Sequence, residues 1–175
     1  MGNYEKTPFV KIDESATGAF CGYPAIIEEL KKRSTGKKKT VLVCEFYPGV
    51  DKEEICREFI EKLEANAVYD AESCALDEKT LNEIFSYELT DDRVFGIMTQ
   101  KQQKDCFDSE QLELTRRQVS EVENGLVVIF GVGASLISTG DILLYFDMER
   151  WEIQKRFRKG MPNWHCDNGN APVLS

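Results

Sequence analysis

Val41-Leu-Val-Cys-Glu-Phe46 runs straight into Tyr47-Pro-Gly-Val-Asp-Lys-Glu-Glu54, and then into a charged stretch carrying Ile55, Phe59, Ile60 and Leu63. The opening run is short, rich in β-branched and aromatic residues and without strict alternation, which predicts a strand covered on both faces. The later apolar residues fall on one stripe of a helix. Asp51, three residues ahead of Glu54, is the expected N-cap. Buried strand, tight turn and capped helix together form the opening unit of a parallel α/β sheet.

The same grammar recurs outward along the chain. Four further runs predict strands: Ala67–Tyr69, Val94–Met98, Leu126–Phe130 and Ile142–Phe146. Between them, helices are expected around Leu81, Ile84 and Phe85, around Leu112, Thr115, Val119 and Val122, and around Trp151, Ile153 and Phe157. Asp108 or Ser109 is the start signal of the second of these, and Gly160-Met-Pro162 the stop signal of the third. The fold class is therefore α/β: three layers, with a mainly parallel five-stranded sheet between helices. One domain is expected over residues 1–161. Residues 1–39 form its N-terminal extension, with a short helix at Tyr23–Lys32 and the basic linker Lys31–Lys39. Residues 162–175, with Pro, Asn and Gly, read as a flexible tail or linker.

With 31 acidic against 22 basic residues, the net charge is −9, so the overall field repels phosphate backbones and anionic membranes. Neither nucleic acid nor membrane is an expected partner. The six cysteines are scattered, without a C-x-x-C pair, and the start lacks an apolar leader. The expected compartment is the cytoplasm.

In open parallel sheets ligands bind beyond the carboxyl ends of the strands. A phosphate-gripping loop after the first strand would read G-x-x-x-x-G-K-[ST], because bare amides must wrap the phosphates while lysine and a hydroxyl manage charge and magnesium. Here only Gly49 remains, Lys52 follows Asp51, and Glu53 and Glu54 stand where charge would repel phosphate. Gly36-Lys37 precedes the strand, so it reads as a solvated linker. Asp70, at the end of the second strand, has two readings of equal standing: a turn cap, or an acid able to accept a substrate hydroxyl proton. Gly131, Gly133 and Ser135 follow a buried strand and offer close backbone approach to a ligand, or simply a turn. Arg150, Arg156 and Arg158 gather positive charge on the last helix, where guanidinium forks suit an anion, although an exposed basic face explains them equally. His165 is the sole histidine, too few for a zinc site or a catalytic triad, and no metal is expected.

Val43–Asp51, Leu89–Met98, Gly131–Ser135 and Asp147–Gln154 together resemble the N-terminal region of long bacterial class I mannose-6-phosphate isomerases. That region is in turn similar to uridine-kinase-like P-loop proteins. The resemblance runs over nearly the whole chain and implies a P-loop-kinase-like core with a degenerate Walker A loop, Asp70 as strand-end acid and Arg150–Arg158 in place of the kinase lid. It also implies a cupin-type isomerase domain as partner, whose histidine-rich metal site is absent from this chain.

The leading expectation is a kinase-like auxiliary or ligand-sensing domain of sugar-phosphate metabolism, without efficient catalysis of its own. Its ligand would be a nucleotide or a sugar phosphate, and no cofactor is assigned. One rival is a nucleoside or sugar kinase with a phosphate cradle built from Gly49, Gly131 and Gly133, Asp70 as base and Arg156 or Arg158 as clamp. Another is a docking or homo-oligomerisation module.

Overall fold

The computed structural model describes residues 18–88, 90 and 96–169. Helix α1 (Tyr23–Ser34) leads into β1 (Lys39–Phe46) and α2 (Lys52–Ile55). The α2 rod continues through a π-helical turn at Cys56–Ile60 and a 3-10 turn at Glu61–Leu63. Then come β2 (Ala67–Asp70), α3 (Glu78–Ile84), α4 (Ser109–Glu121), β3 (Gly125–Gly131), α5 (Ala134–Ile137), β4 (Ile142–Phe146) and α6 (Arg150–Arg158).

The four strands form one all-parallel sheet in the order β2-β3-β1-β4, with Val43 facing Ile129 on one side and Leu143 on the other. Successive side chains of β1 point to opposite faces. Leu42, Cys44 and Phe46 pack under Ile55, Phe59, Ile60 and Leu63 of the α2 rod. Val43 packs with Leu112 and Val119 of α4 and with Ala134 and Ile137 of α5. Each fully buried Phe, Leu or Ile in these layers contributes about 1.5–3 kcal/mol of transfer free energy. The chain thus leaves β1 over one face and β3 over the other. Their adjacent carboxyl ends form the crevice where ligands of open α/β sheets bind.

The expected start signals act as caps. Asp51 accepts the amide of Glu54 at 2.9 Å, and Asp108 accepts those of Glu110 and Gln111 at 2.8 and 3.1 Å. Of the fifth expected strand, Val94–Met98, only the last three residues are described. Residues 94 and 95 lie outside the described residues, and Gly96–Met98 belong to no strand. There the Ile97 amide bonds back to the Glu88 carbonyl at 3.1 Å, while Thr99 and Lys101 grip the Glu88 carboxylate. These local fastenings hold the segment against the end of α3, and Ile97 and Met98 stay exposed. Among the described residues no helix is long and apolar enough to cross a membrane.

Cys44 lies at the centre of β1, fully buried, and burial pushes its thiol from an ordinary 9.0 up to about 12. The unfolded thiol deprotonates first as pH rises. Its contribution to stability is therefore whole below pH 9 and declines towards pH 12. Urea midpoints measured across that range are expected to fall more steeply for the wild type than for Cys44→Ala. Equal slopes would place the alkaline sensitivity elsewhere.

Candidate functional site

The crevice is built from the last residues of β1, the turn after β2 and the loop after β3. Glu45 is the penultimate residue of β1 and a buried acid inside the otherwise apolar run Val41–Phe46. Its Oε1 accepts the Gly133 amide at 2.7 Å and the Gln103 side-chain amide at 3.2 Å, and its Oε2 accepts the Ser135 amide at 2.7 Å. Glu72, in the 3-10 turn after β2, accepts the Val132 amide at 3.0 Å through its Oε1. Two carboxylates of the protein itself thus occupy the Val132 and Gly133 amides of the β3–α5 loop and the Ser135 amide in the first turn of α5.

Lys52 opens the first turn of α2, immediately after the Asp51 cap. Its ammonium donates to both oxygens of Asp70, at 3.0 and 2.8 Å, and to Glu72 Oε2 at 2.9 Å. An ammonium carries three protons, so these bonds exhaust it. It also lies 5.5 Å from the centre of the Phe130 ring. Burial alone would push the Lys52 pKa down, but the hydrogen bonds it donates to Asp70 and Glu72, with their negative charge, outweigh it and hold the pKa above its ordinary value. Asp70 Oδ1 additionally accepts the Glu72 amide at 3.0 Å, capping the turn as one of its two expected readings required. Two amides of the loop after β1 are bonded within the fold as well. Tyr47 donates its amide to the Phe146 carbonyl at 2.9 Å and Val50 donates to Tyr47 at 3.2 Å.

The glycines that the sequence singled out serve this arrangement. Gly131 has φ +107°, and a Cβ there would stand 3.1 Å from Glu72 Oε1 and 3.2 Å from Asp70 Oδ1. Gly133 has φ +85°, and a Cβ there would stand 2.4 Å from the buried Phe107 ring. Asp70, Gly131, Gly133 and Ser135 therefore converge on one place. The arginines of α6 do not. Arg156 donates to the Gly49 carbonyl at 3.2 Å, fastening α6 to the β1–α2 loop. Arg158 stacks on Trp151, 5.4 Å from the ring centre. Arg150 lines a separate open groove of about 730 Å³ between the end of β4 and α6, together with Tyr47, Tyr145, Asp147 and Gln154.

A cavity of about 220 Å³ adjoins Lys52 and Glu72, and its far wall is Met161–His165. Residues 162–169 thus belong, at least in part, to the packed structure: Trp164 contacts both core layers and meets Phe107 with ring centres 5.5 Å apart. Sequence reasoning passed over Glu45, Gln103 and Trp164, and set Lys52 aside with the degenerate loop. A charged residue inside an apolar strand run was the one available signal, and Glu45 carried it.

Asp70 and Glu72 hold the Lys52 ammonium while Glu45 and Glu72 fill the amides after β3, so the cluster offers no free cradle to an anion. A phosphate would have to displace Glu45 or Glu72 from their amides and leave a carboxylate without its donors, at a cost of about 1–3 kcal/mol or more for each acid so stranded. Among the described residues no group of three His, Cys, Asp or Glu side chains is placed to hold a metal.

Residues 22–175 match the family described as "Domain of unknown function (DUF8485)", and the chain belongs to it. No curated protein and no solved structure matches the chain.

Proposed function

We propose that this chain is a kinase-like α/β domain whose phosphate crevice has become a structural ion cluster, and that it works as a non-catalytic, ligand-sensing auxiliary unit in sugar-phosphate metabolism. The observation that carries the non-catalytic part is the occupancy of the Val132, Gly133 and Ser135 amides by Glu72 and Glu45. Kinase-like ancestry is supported by the parallel order β2-β3-β1-β4 and by Lys52 standing in the first turn of the helix after β1, where a phosphate-gripping lysine belongs. The link to sugar phosphates rests on the sequence resemblance. In that reading the sensing surface is the groove beside Arg150, which makes no ion pair among the described residues and is flanked by Tyr47 and Tyr145. A guanidinium for the phosphate beside aromatic faces for the sugar suits such a ligand.

Thermal shift and turnover assays test both halves. Magnesium ATP is expected to leave the melting temperature unmoved and to be hydrolysed far below the roughly 1 per second at the slow end of kinases. Mannose 6-phosphate is expected to raise the melting temperature of the wild type and not of Arg150→Ala. Kinase-like turnover overturns the first half, and identical shifts in wild type and variant overturn the second.

A further inference from the structure

Gly160 to Gly169 form a closed strap directly after α6. Its ends meet so tightly that a Cβ on Gly169 would stand 2.4 Å from the Gly160 carbonyl oxygen. Within it the Asn163 amide donates to Asn168 Oδ1 at 2.8 Å and the Cys166 amide to the Asn163 carbonyl at 3.1 Å. Beyond its hinge at the end of α6, where the Gly160 and Met161 amides bond to the Phe157 and Arg156 carbonyls, the described residues show one hydrogen bond leading outside, from the Asp167 amide to Glu78 Oε2 at 3.3 Å. A compact loop whose ends meet and whose interior bonds are its own can swing as a unit.

Trp164 is the strap's anchor, seated on Phe107 and against both core layers beside the cavity that adjoins Lys52 and Glu72. Two features mark it as an imperfect fit. Among the described residues the indole N–H, itself buried, has no hydrogen-bond partner. The next residue, His165, holds φ +54°, a left-handed conformation that side chains other than glycine rarely adopt. Both lower the stability of the closed strap relative to an open one in which water satisfies the indole.

We propose that the seat of Trp164 is a binding site for the ring of an uncharged aromatic ligand, closed in the free protein by the strap's own tryptophan. The ring character follows from what fills the seat now. An anionic ligand is disfavoured by the neighbouring Asp70 and Glu72, whose two negative charges outnumber the one positive charge of Lys52. Ligand entry expels Trp164 and swings the strap, and because the Met161 amide bonds to Arg156 of α6 at 3.0 Å, the helix beside the Arg150 groove is directly joined to the moving part.

The chain has two tryptophans, so Trp151→Phe leaves Trp164 as the only indole reporter. In that protein, acrylamide is expected to quench Trp164 poorly at first and severalfold better once one of adenosine, uridine or nicotinamide is added to saturation. The same compound is expected to bind Trp164→Ala about tenfold tighter, since the buried, unpartnered indole no longer competes. If Trp164→Ala does not fold, hydrogen exchange decides: amides of 163–167 are expected to exchange at least about 100-fold faster than those of β1, through opening of the strap alone. Unchanged quenching with all three compounds, equal affinity in wild type and Trp164→Ala, or strap amides that exchange only with the core each overturn the proposal. None of these results depends on ATP turnover or on Arg150, so this site and the proposed function fail separately.

Discussion

Glu45→Ala is expected to destabilise the domain by about 3 kcal/mol, because the buried Gly133 amide and the part-buried Ser135 amide lose their acceptor at once and each unsatisfied donor costs about 1–3 kcal/mol, less where water reaches it. The donors are Gly133 and Ser135, both 2.7 Å from the carboxylate, and Gln103 loses its partner as well. A loss of that size is a large share of the roughly 5–15 kcal/mol that holds an ordinary domain folded. Urea denaturation would measure it. The chemical signature matters more than the size: added acetate, which restores a carboxylate to the vacated amides, is expected to raise the urea midpoint of Glu45→Ala more than that of the wild type. A loss below about 1 kcal/mol, of the order of an ordinary solvent-exchanged hydrogen bond, would show that water replaces Glu45 freely. The account of the crevice as an internally filled nest would then fail.

The second large effect is Gly133→Ala, expected to cost about 3 kcal/mol or more from a left-handed backbone penalty of about 1–2 kcal/mol and a steric term of about 1–3 kcal/mol. The clash is with the ring of Phe107, itself only 5% exposed and wedged against Trp164, so it has little room to retreat. Because the Gly133 amide must also keep its aim at Glu45, any backbone shift that relieves the ring loosens that bond. Gly133→Ala combined with Phe107→Leu is expected to recover part of the steric cost and none of the backbone cost. Full recovery in the double variant would show that φ at position 133 contributes nothing. No recovery would show that the ring is not what a Cβ meets.

These two residues mark the boundary between what was legible in the chain and what was not. The turn at Gly131–Ser135 could be read locally, since a glycine-bearing stretch after a buried strand needs no distant partner to announce itself. The same holds for Asp51 and Asp108, whose capped amides lie two or three residues away. Glu45 could not be read that way. Its partners stand 58, 88 and 90 residues further along, and nothing in a run of apolar neighbours says which amides an acid will meet. Lys52 was set aside because the motif around it was wrong, yet the side chain is held by acids 18 and 20 residues away. The arginines of α6 were read as one group because they share a helix. A helix spreads its residues around the axis, so Arg150, Arg156 and Arg158 face a groove, a carbonyl and an indole in turn. Val94–Met98 resembled a strand by composition. Its described part is fastened instead to Glu88, a neighbour the composition could not indicate.

By itself the sequence determined the alternation of buried strands and amphipathic helices, the caps that start α2 and α4, and the poverty of the β1–α2 loop in phosphate-binding groups. All of these are settled by residues within one or two turns of each other, where side-chain pattern and backbone preference act directly. Only the tertiary structure decided what fills the crevice, because parallel pairing brings the ends of β1, β2 and β3 side by side across long stretches of chain. There the amides that could have met a phosphate meet Glu45 and Glu72, and the lysine that could have gripped it is held by Asp70.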